Sequence, residues 1–145
     1  MSPAVRRWYL ALLVASVAGC ARGEKLVPVT GKVMVSGKPA VGALVMFYTD
    51  GTPDPHVTPA TATVKDDGSF SVATGATGGM RPGKYIVTVV WPDPSKKPTD
   101  AQRMMGYSPS DAPDLLAGRY ATREKTSLRA EVTAGENALP PFDLK

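Results

Sequence analysis

The stretch that decides the fold is residues 27–48, VPVTGKVMVSGKPAVGALVMFY. In its first half Val27, Val29, Val33 and Val35 fall on one side of an extended chain, opposite Pro28, Thr30, Lys32 and Met34. A period of two marks a strand with one buried face. Ser36-Gly37-Lys38-Pro39 then predicts a turn, since Gly accepts a positive φ and Pro stops a strand from running on. Residues 41–48 are apolar on both faces: Val41, Ala43, Val45 and Phe47 on one, Leu44, Met46 and Tyr48 on the other. Such a strand is either central or has its second face covered by a loop. The second arrangement is expected, because a suitable loop follows later in the chain.

The same alternation repeats downstream. A Pro-rich connection over 50–59 leads to Ala60, Ala62 and Val64, which alternate with threonines. Asp66-Asp67-Gly68-Ser69 then predicts a hairpin into Phe70 and Val72. After a loop over 75–82, Tyr85, Val87, Val89 and Trp91 share one face of the most β-prone strand in the chain. Leu128, Ala130 and Val132 form another alternating run, Gly135-Glu136-Asn137 turns, and residues 139–144 close the domain. Pro140 and Pro141 confine that last strand to a sheet edge or break it in two. Seven short strands without a long helix predict an all-β, seven-stranded antiparallel, Ig-like sandwich.

Composition agrees and excludes much else. The chain has 145 residues, room for one domain. Hydrophobic residues at 43% against 21% charged describe a globular body, and 14 Gly with 14 Pro argue for turns over helices. The formal charge of +4 falls to +2 without Arg6 and Arg7, too little for a nucleic-acid-binding face. One His and one Cys leave no metal cluster and no nucleophile–base pair to propose, so no cofactor is expected.

The first residues read as a secretory leader. Arg6 and Arg7 precede an apolar run over 8–18. Eleven residues of helix reach only about 16 Å, short of the ~30 Å hydrocarbon core. Arg6-Arg7-Trp8-Tyr9-Leu10 faintly resembles a twin-arginine export signal, but Val5 stands where that pattern prefers Ser or Thr, so general secretion is the default. Val17-Ala18-Gly19-Cys20 resembles the lipobox of bacterial lipoproteins. The resemblance implies a signal peptide over 1–19, cleaved before Cys20, and a diacylglyceryl group on the Cys20 sulfur. Residues 20–25 are then the lipidated Cys and a short tether, its last five residues about 17 Å long at full stretch. The expected address is the cell envelope, membrane-anchored on a periplasmic or surface face.

The body, residues 26–145, carries a second resemblance. Val29-Thr30-Gly31-Lys32-Val33, then Gly37-Lys38-Pro39-Ala40-Val41-Gly42-Ala43-Leu44-Val45, is similar to the opening of carboxypeptidase regulatory-like, transthyretin-like domains. The Asp67-Gly68-Ser69-Phe70 turn and Pro82-Gly83-Lys84-Tyr85 continue that resemblance in order. Gly118-Arg119-Tyr120, Thr126-Ser127-Leu128 and Gly135-Glu136-Asn137 resemble small bacterial lipoproteins built from this one domain. The resemblance implies a transthyretin-like β-sandwich that is non-catalytic. The same architecture includes the hydroxyisourate hydrolase, which works with several His and Arg residues and a terminal Tyr-Arg-Gly-Ser motif. Here His56 stands alone and the chain ends Phe142-Asp143-Leu144-Lys145.

Residue by residue, chemistry is sparse. His56, between Pro55 and Val57, is expected to be an exposed loop residue. Asp66 and Asp67 suggest a turn rather than a calcium site, which would need six to eight oxygens. Tyr85 and Trp91 would suit a sugar platform if exposed, but their place on an alternating face predicts core packing.

The unusual segment is the loop over 93–117, far longer than the ~4–6 residues of an ordinary connection. The expectation is a cover that lays Met104, Met105 and Leu115 over the second face of 41–48. Thr99 or Asp111 would cap a turn of helix within it. The alternative is a partner-binding loop, in which Met104, Met105 and Tyr107 offer adaptable apolar contacts. Together these readings describe a non-catalytic lipid-anchored envelope protein, bound to the membrane through its anchor and to an envelope protein or glycan. A carbohydrate-binding module is the first alternative, and an enzyme with an unfamiliar site the second.

Overall fold

Alternation along the chain becomes the two faces of two sheets in the computed structural model, which describes residues 25–51 and 56–145. The smaller sheet is built around β1 (Val29–Val35), with β2 (Lys38–Pro39), β5 (Ser69–Ser71), β10 (Asn137–Ala138) and β11 (Phe142–Leu144) as its partners. The larger runs β7 (Thr77–Gly78), β6 (Ala73–Thr74), β4 (Ala60–Thr63), β3 (Leu44–Thr49), β8 (Gly83–Val90), β9 (Arg129–Val132). Among the described residues the two sheets hold eleven strands in place of the seven expected, seven of them three residues or longer. The other four are two-residue pieces.

The apolar faces meet between the sheets. Val29, Val33, Phe70 and Leu144 of the smaller sheet join Val45, Phe47, Ala62, Val87 and Val89 of the larger in one buried cluster. Each large aliphatic or aromatic side chain so buried contributes about 1.5–3 kcal/mol. The Phe47 and Phe70 centroids lie 6.1 Å apart across the sandwich, and Phe70 stacks on Phe142 at 6.3 Å. Gly31 makes this stack possible. A Cβ at that position would overlap the Phe70 ring, so the strand carries a glycine where the ring crosses it.

The expected arrangement is corrected in two places. The Asp66–Ser69 turn closes no hairpin, because it carries the chain from β4 in the larger sheet to β5, which pairs β1 in the smaller. Both C-terminal strands run parallel to β1, with Val29 opposite Asn137 and Val33 opposite Phe142. The chain reaches them from β9 in the opposite sheet, through a connection stapled by the buried Asn137. Its Nδ2 donates to the carbonyls of Thr133 and Gly135, both at 2.9 Å, and its Oδ1 accepts from the Thr133 N–H at 2.9 Å. Crossing between sheets frees the strand direction from the hairpin rule that neighbours run antiparallel. Pro140 and Pro141 break the closing strand in two, leaving β10 and β11 on either side.

Local chemistry sets the turns. Ser36 and Gly37 both take positive φ, 49° and 77°, as a two-residue type I′ hairpin between β1 and β2 requires. Gly68 takes φ of 81° after Asp67, whose Oδ1 accepts from the Ser69 N–H at 2.9 Å and the Ser69 hydroxyl at 2.6 Å. The Ser69 hydroxyl, and then its amide, hold the Asp67 carboxyl below the usual carboxylate range.

Candidate functional site: a clamped loop and an end cleft

The loop over 93–117 is pinned at its base. Leu115 N–H donates to the Trp91 carbonyl at 2.8 Å, and Asp93 N–H to the Pro113 carbonyl at 2.9 Å. The Asp114 carboxylate completes a clamp. Its Oδ1 accepts from Trp91 N–H at 2.9 Å and Leu116 N–H at 3.0 Å, and its Oδ2 from Gly118 N–H at 2.9 Å. Sequence reasoning missed this residue, because one Asp among several in a polar loop carries no periodic signal.

Beyond the clamp the chain forms a 3-10 turn at Pro94–Lys96, helix α1 at Asp100–Met104 and a second 3-10 turn at Pro109–Asp111. None of the three buries a residue. They are held by local capping instead. Thr99 caps α1 as expected, accepting from Gln102 N–H at 3.3 Å while Gln102 Oε1 accepts from Thr99 N–H at 2.9 Å. Asp111 does not cap a helix; Ser108 does. Asp111 supplies the reciprocal half of that capping box, accepting from Ser108 N–H at 2.6 Å. At the loop's start Asp93 accepts from the hydroxyl and the amide of Ser95, in that order of effect, and its carboxyl is lowered accordingly.

The expected cover is therefore overturned. Met104 is 92% exposed, Met105 78%, Tyr107 54% and Leu115 48%. Residues 95–110 bury no side chain and are held by their own capping boxes, while Ala112 is buried and Leu116, at the loop's end, joins the core. The second face of β3 is served by the chain that follows. Arg123 places its guanidinium over the Tyr48 ring, 5.3 Å from the centroid, and the Tyr48 hydroxyl donates to Met46 Sδ at 3.5 Å. Residues 120–128 run along the free edge of β8. Val89 N–H donates to the Tyr120 carbonyl at 2.9 Å, and the Thr126 hydroxyl to the Val87 carbonyl at 2.7 Å. In register with Met46, Thr88 is buried on this face with no hydrogen-bond partner for its hydroxyl.

Tyr85 and Trp91 pack as core residues rather than as a sugar platform. Tyr85 is 6% exposed, with its hydroxyl donating to the Arg81 carbonyl at 2.7 Å. Trp91 is half-buried, and its indole N–H donates to the Val41 carbonyl at 3.0 Å.

A cleft of about 550 Å³ opens at the end of the sandwich where β3 finishes and β8 begins. Phe47, Met80 and Tyr85, all buried, form its floor, while Leu26 and Val57 line its walls. Arg81, Arg123 and His56 bring side-chain nitrogen to it, and none of the described lining residues carries a carboxylate. His56 is exposed in its connection, as expected, and shares this cleft. Arg81 and Arg123 belong to turn and connector segments whose sequence shows no motif.

Cys20 and the lipobox residues Val17, Ala18 and Gly19 lie outside the described residues. Among the described residues no helix is long and apolar enough to cross a membrane. No group of three His, Cys, Asp or Glu residues gathers there as a metal site would need.

Strand order and core define an all-β sandwich of two sheets. No protein-family model matches the chain, and no curated protein is significantly similar to it. Among solved structures it matches a crystal structure of a DUF3823 family protein from Parabacteroides merdae, with 15% identity and a TM-score of 0.43. The match covers 84% of this chain and 47% of the other, so the chain spans about half the length of that structure.

Proposed function

We propose that the protein is a non-catalytic, lipid-anchored binding protein of the cell envelope, which offers the 93–117 loop to a protein partner at the membrane surface. The observation that supports this reading is the exposure of Met104 and Met105 on a loop clamped at its base by Asp114. Exposed methionines add nothing to the core, yet they make adaptable apolar contacts at an interface. A rigid base with an apolar tip is an economical way to present such contacts. The anchor at Cys20 supplies the second half of the mechanism. Confinement near the bilayer raises the effective concentration of the loop for a neighbour in the same membrane. Durable anchoring needs two acyl chains, which a diacylglyceryl group provides.

The test is a photo-crosslinking residue at Met105 in intact cells making the wild type or Cys20→Ser. The expected result is a wild-type chain in the membrane fraction, with a discrete adduct at position 105 that is depleted in Cys20→Ser. A wild-type chain that stays soluble, or identical adducts from position 105 and from Glu131 on β9, would overturn the reading.

A further inference from the structure

We infer that the end cleft is a binding site for a small organic anion, one carboxylate or phosphate carried on an apolar or aromatic body. The inference is independent of the loop and its partner. It rests on how the cleft divides its chemistry. The floor is apolar and already desolvated, since Phe47 and Met80 are each 1% exposed. Above that floor the half-buried Leu26 and the exposed Val57 give a ligand's hydrocarbon or ring apolar surface to cover. Among the described lining residues the charge has one sign: Arg81 and Arg123 line the space, and no carboxylate is among them.

Neither guanidinium is in an ion pair among the described residues; the Arg103–Asp100 pair lies elsewhere, on the exposed loop. Arg123 is oriented by its seat over the Tyr48 ring, so less side-chain freedom is lost when it meets an anion. A guanidinium offers a planar fork of donors that fits both carboxylate and phosphate oxygens. The volume of about 550 Å³ falls within the range of small-molecule sites. An inorganic anion would leave the apolar walls uncovered, and a neutral apolar molecule would leave the cations without a counter-charge. Only a ligand with both parts uses the whole cleft.

The test is a methyl NMR titration of the purified full chain in detergent, with Met80 reporting the cleft and Met104 and Met105 serving as internal controls. The probes are phenyl phosphate and benzoate, with inorganic phosphate and benzyl alcohol presenting the two halves separately. The expected result is a saturable shift at Met80, with Met104 and Met105 unmoved, for phenyl phosphate or benzoate. Whichever binds tighter identifies the anionic group. Affinity should fall at least tenfold in Arg81→Gln/Arg123→Gln and recover within a few-fold in Arg123→Lys alone. Arg81→Gln alone changes an exposed side chain and carries the test if the Arg123→Gln change disturbs folding. No shift at Met80 overturns the proposal. So does equal affinity for inorganic phosphate or benzyl alcohol, or undiminished binding in both Arg81→Gln and the double variant.

Discussion

Phe70 and Met104 are large apolar side chains in opposite circumstances. Phe70 is buried, tilted against Phe47 across the sandwich and stacked on Phe142 within its own sheet. Met104 is 92% exposed at the end of a five-residue helix that buries nothing. Strand pairing brings Phe70 partners from distant parts of the chain. Helix α1 is capped by the reciprocal hydrogen bonds of Thr99, just before it, and its own Gln102, and takes none of these from the sandwich. Stability and availability are thus separated in space. The two sheets hold the fold, and the clamped loop is free to make contacts without endangering it.

The sharpest way to break that division is at Gly31. Gly31→Ala drives a methyl into the Phe70 ring, which is fixed from both sides, and the expected cost is about 3 kcal/mol. Thermal unfolding should fall by roughly 10 °C, and Phe70→Leu in the same chain should restore part of it. An unchanged melting temperature would mean that β1 and β5 are not packed as described.

Asp114→Ala tests the boundary between the two regions. Three backbone N–H groups lose their acceptor, and about 2 kcal/mol of stability should go with them. Faster amide exchange at Trp91, Leu116 and Gly118, with β3 still protected, would locate the loss at the loop base. Asp114→Asn keeps one accepting oxygen and should fall between the two.

Thr88→Val should act in the other direction. It removes the one buried side-chain polar atom without a partner among the described residues and keeps a β-branched shape on β8. A gain of about 1 kcal/mol is expected in denaturant unfolding at constant slope. A loss would show that the Thr88 hydroxyl is satisfied in solution.

The smallest stability effect is expected from the largest deletion. Replacing residues 95–110 with a short Gly-Ser linker removes both capping boxes and both methionines but no buried side chain. Stability should stay within about 0.5 kcal/mol in denaturant unfolding. A steep fall in melting temperature would return the loop to the role of a cover.

How much of this was legible beforehand follows from the range of each signal. The buried faces of β1 and β8 could be read residue by residue, because alternation is a local property of an extended chain. The Asp67-Gly68 turn and the Thr99 cap were legible for the same reason, since each is settled within four residues. The direction of the last two strands was not. Their partner lies more than a hundred residues away, and no local pattern records whether the chain arrives parallel or antiparallel. The loop misled because apolar composition reports a wish for burial without saying against what. Its cover role at Tyr48 passed to Arg123, a residue with no apolar periodicity, which touches the ring only once the chain has turned back along β8.

By itself, then, the sequence determined that this chain forms strands, where those strands turn, and which of their faces seek the core, since these follow from period-two alternation and from the φ values that Gly and Pro allow. Only the tertiary structure decided that Gly31 lies beneath the Phe70 ring, that Asp114 clamps an exposed loop, and that Arg81 and Arg123 meet at the mouth of one cleft. Each of these joins residues far apart in the chain. Proximity of that kind is set by how two sheets pack, and no stretch of sequence contains it.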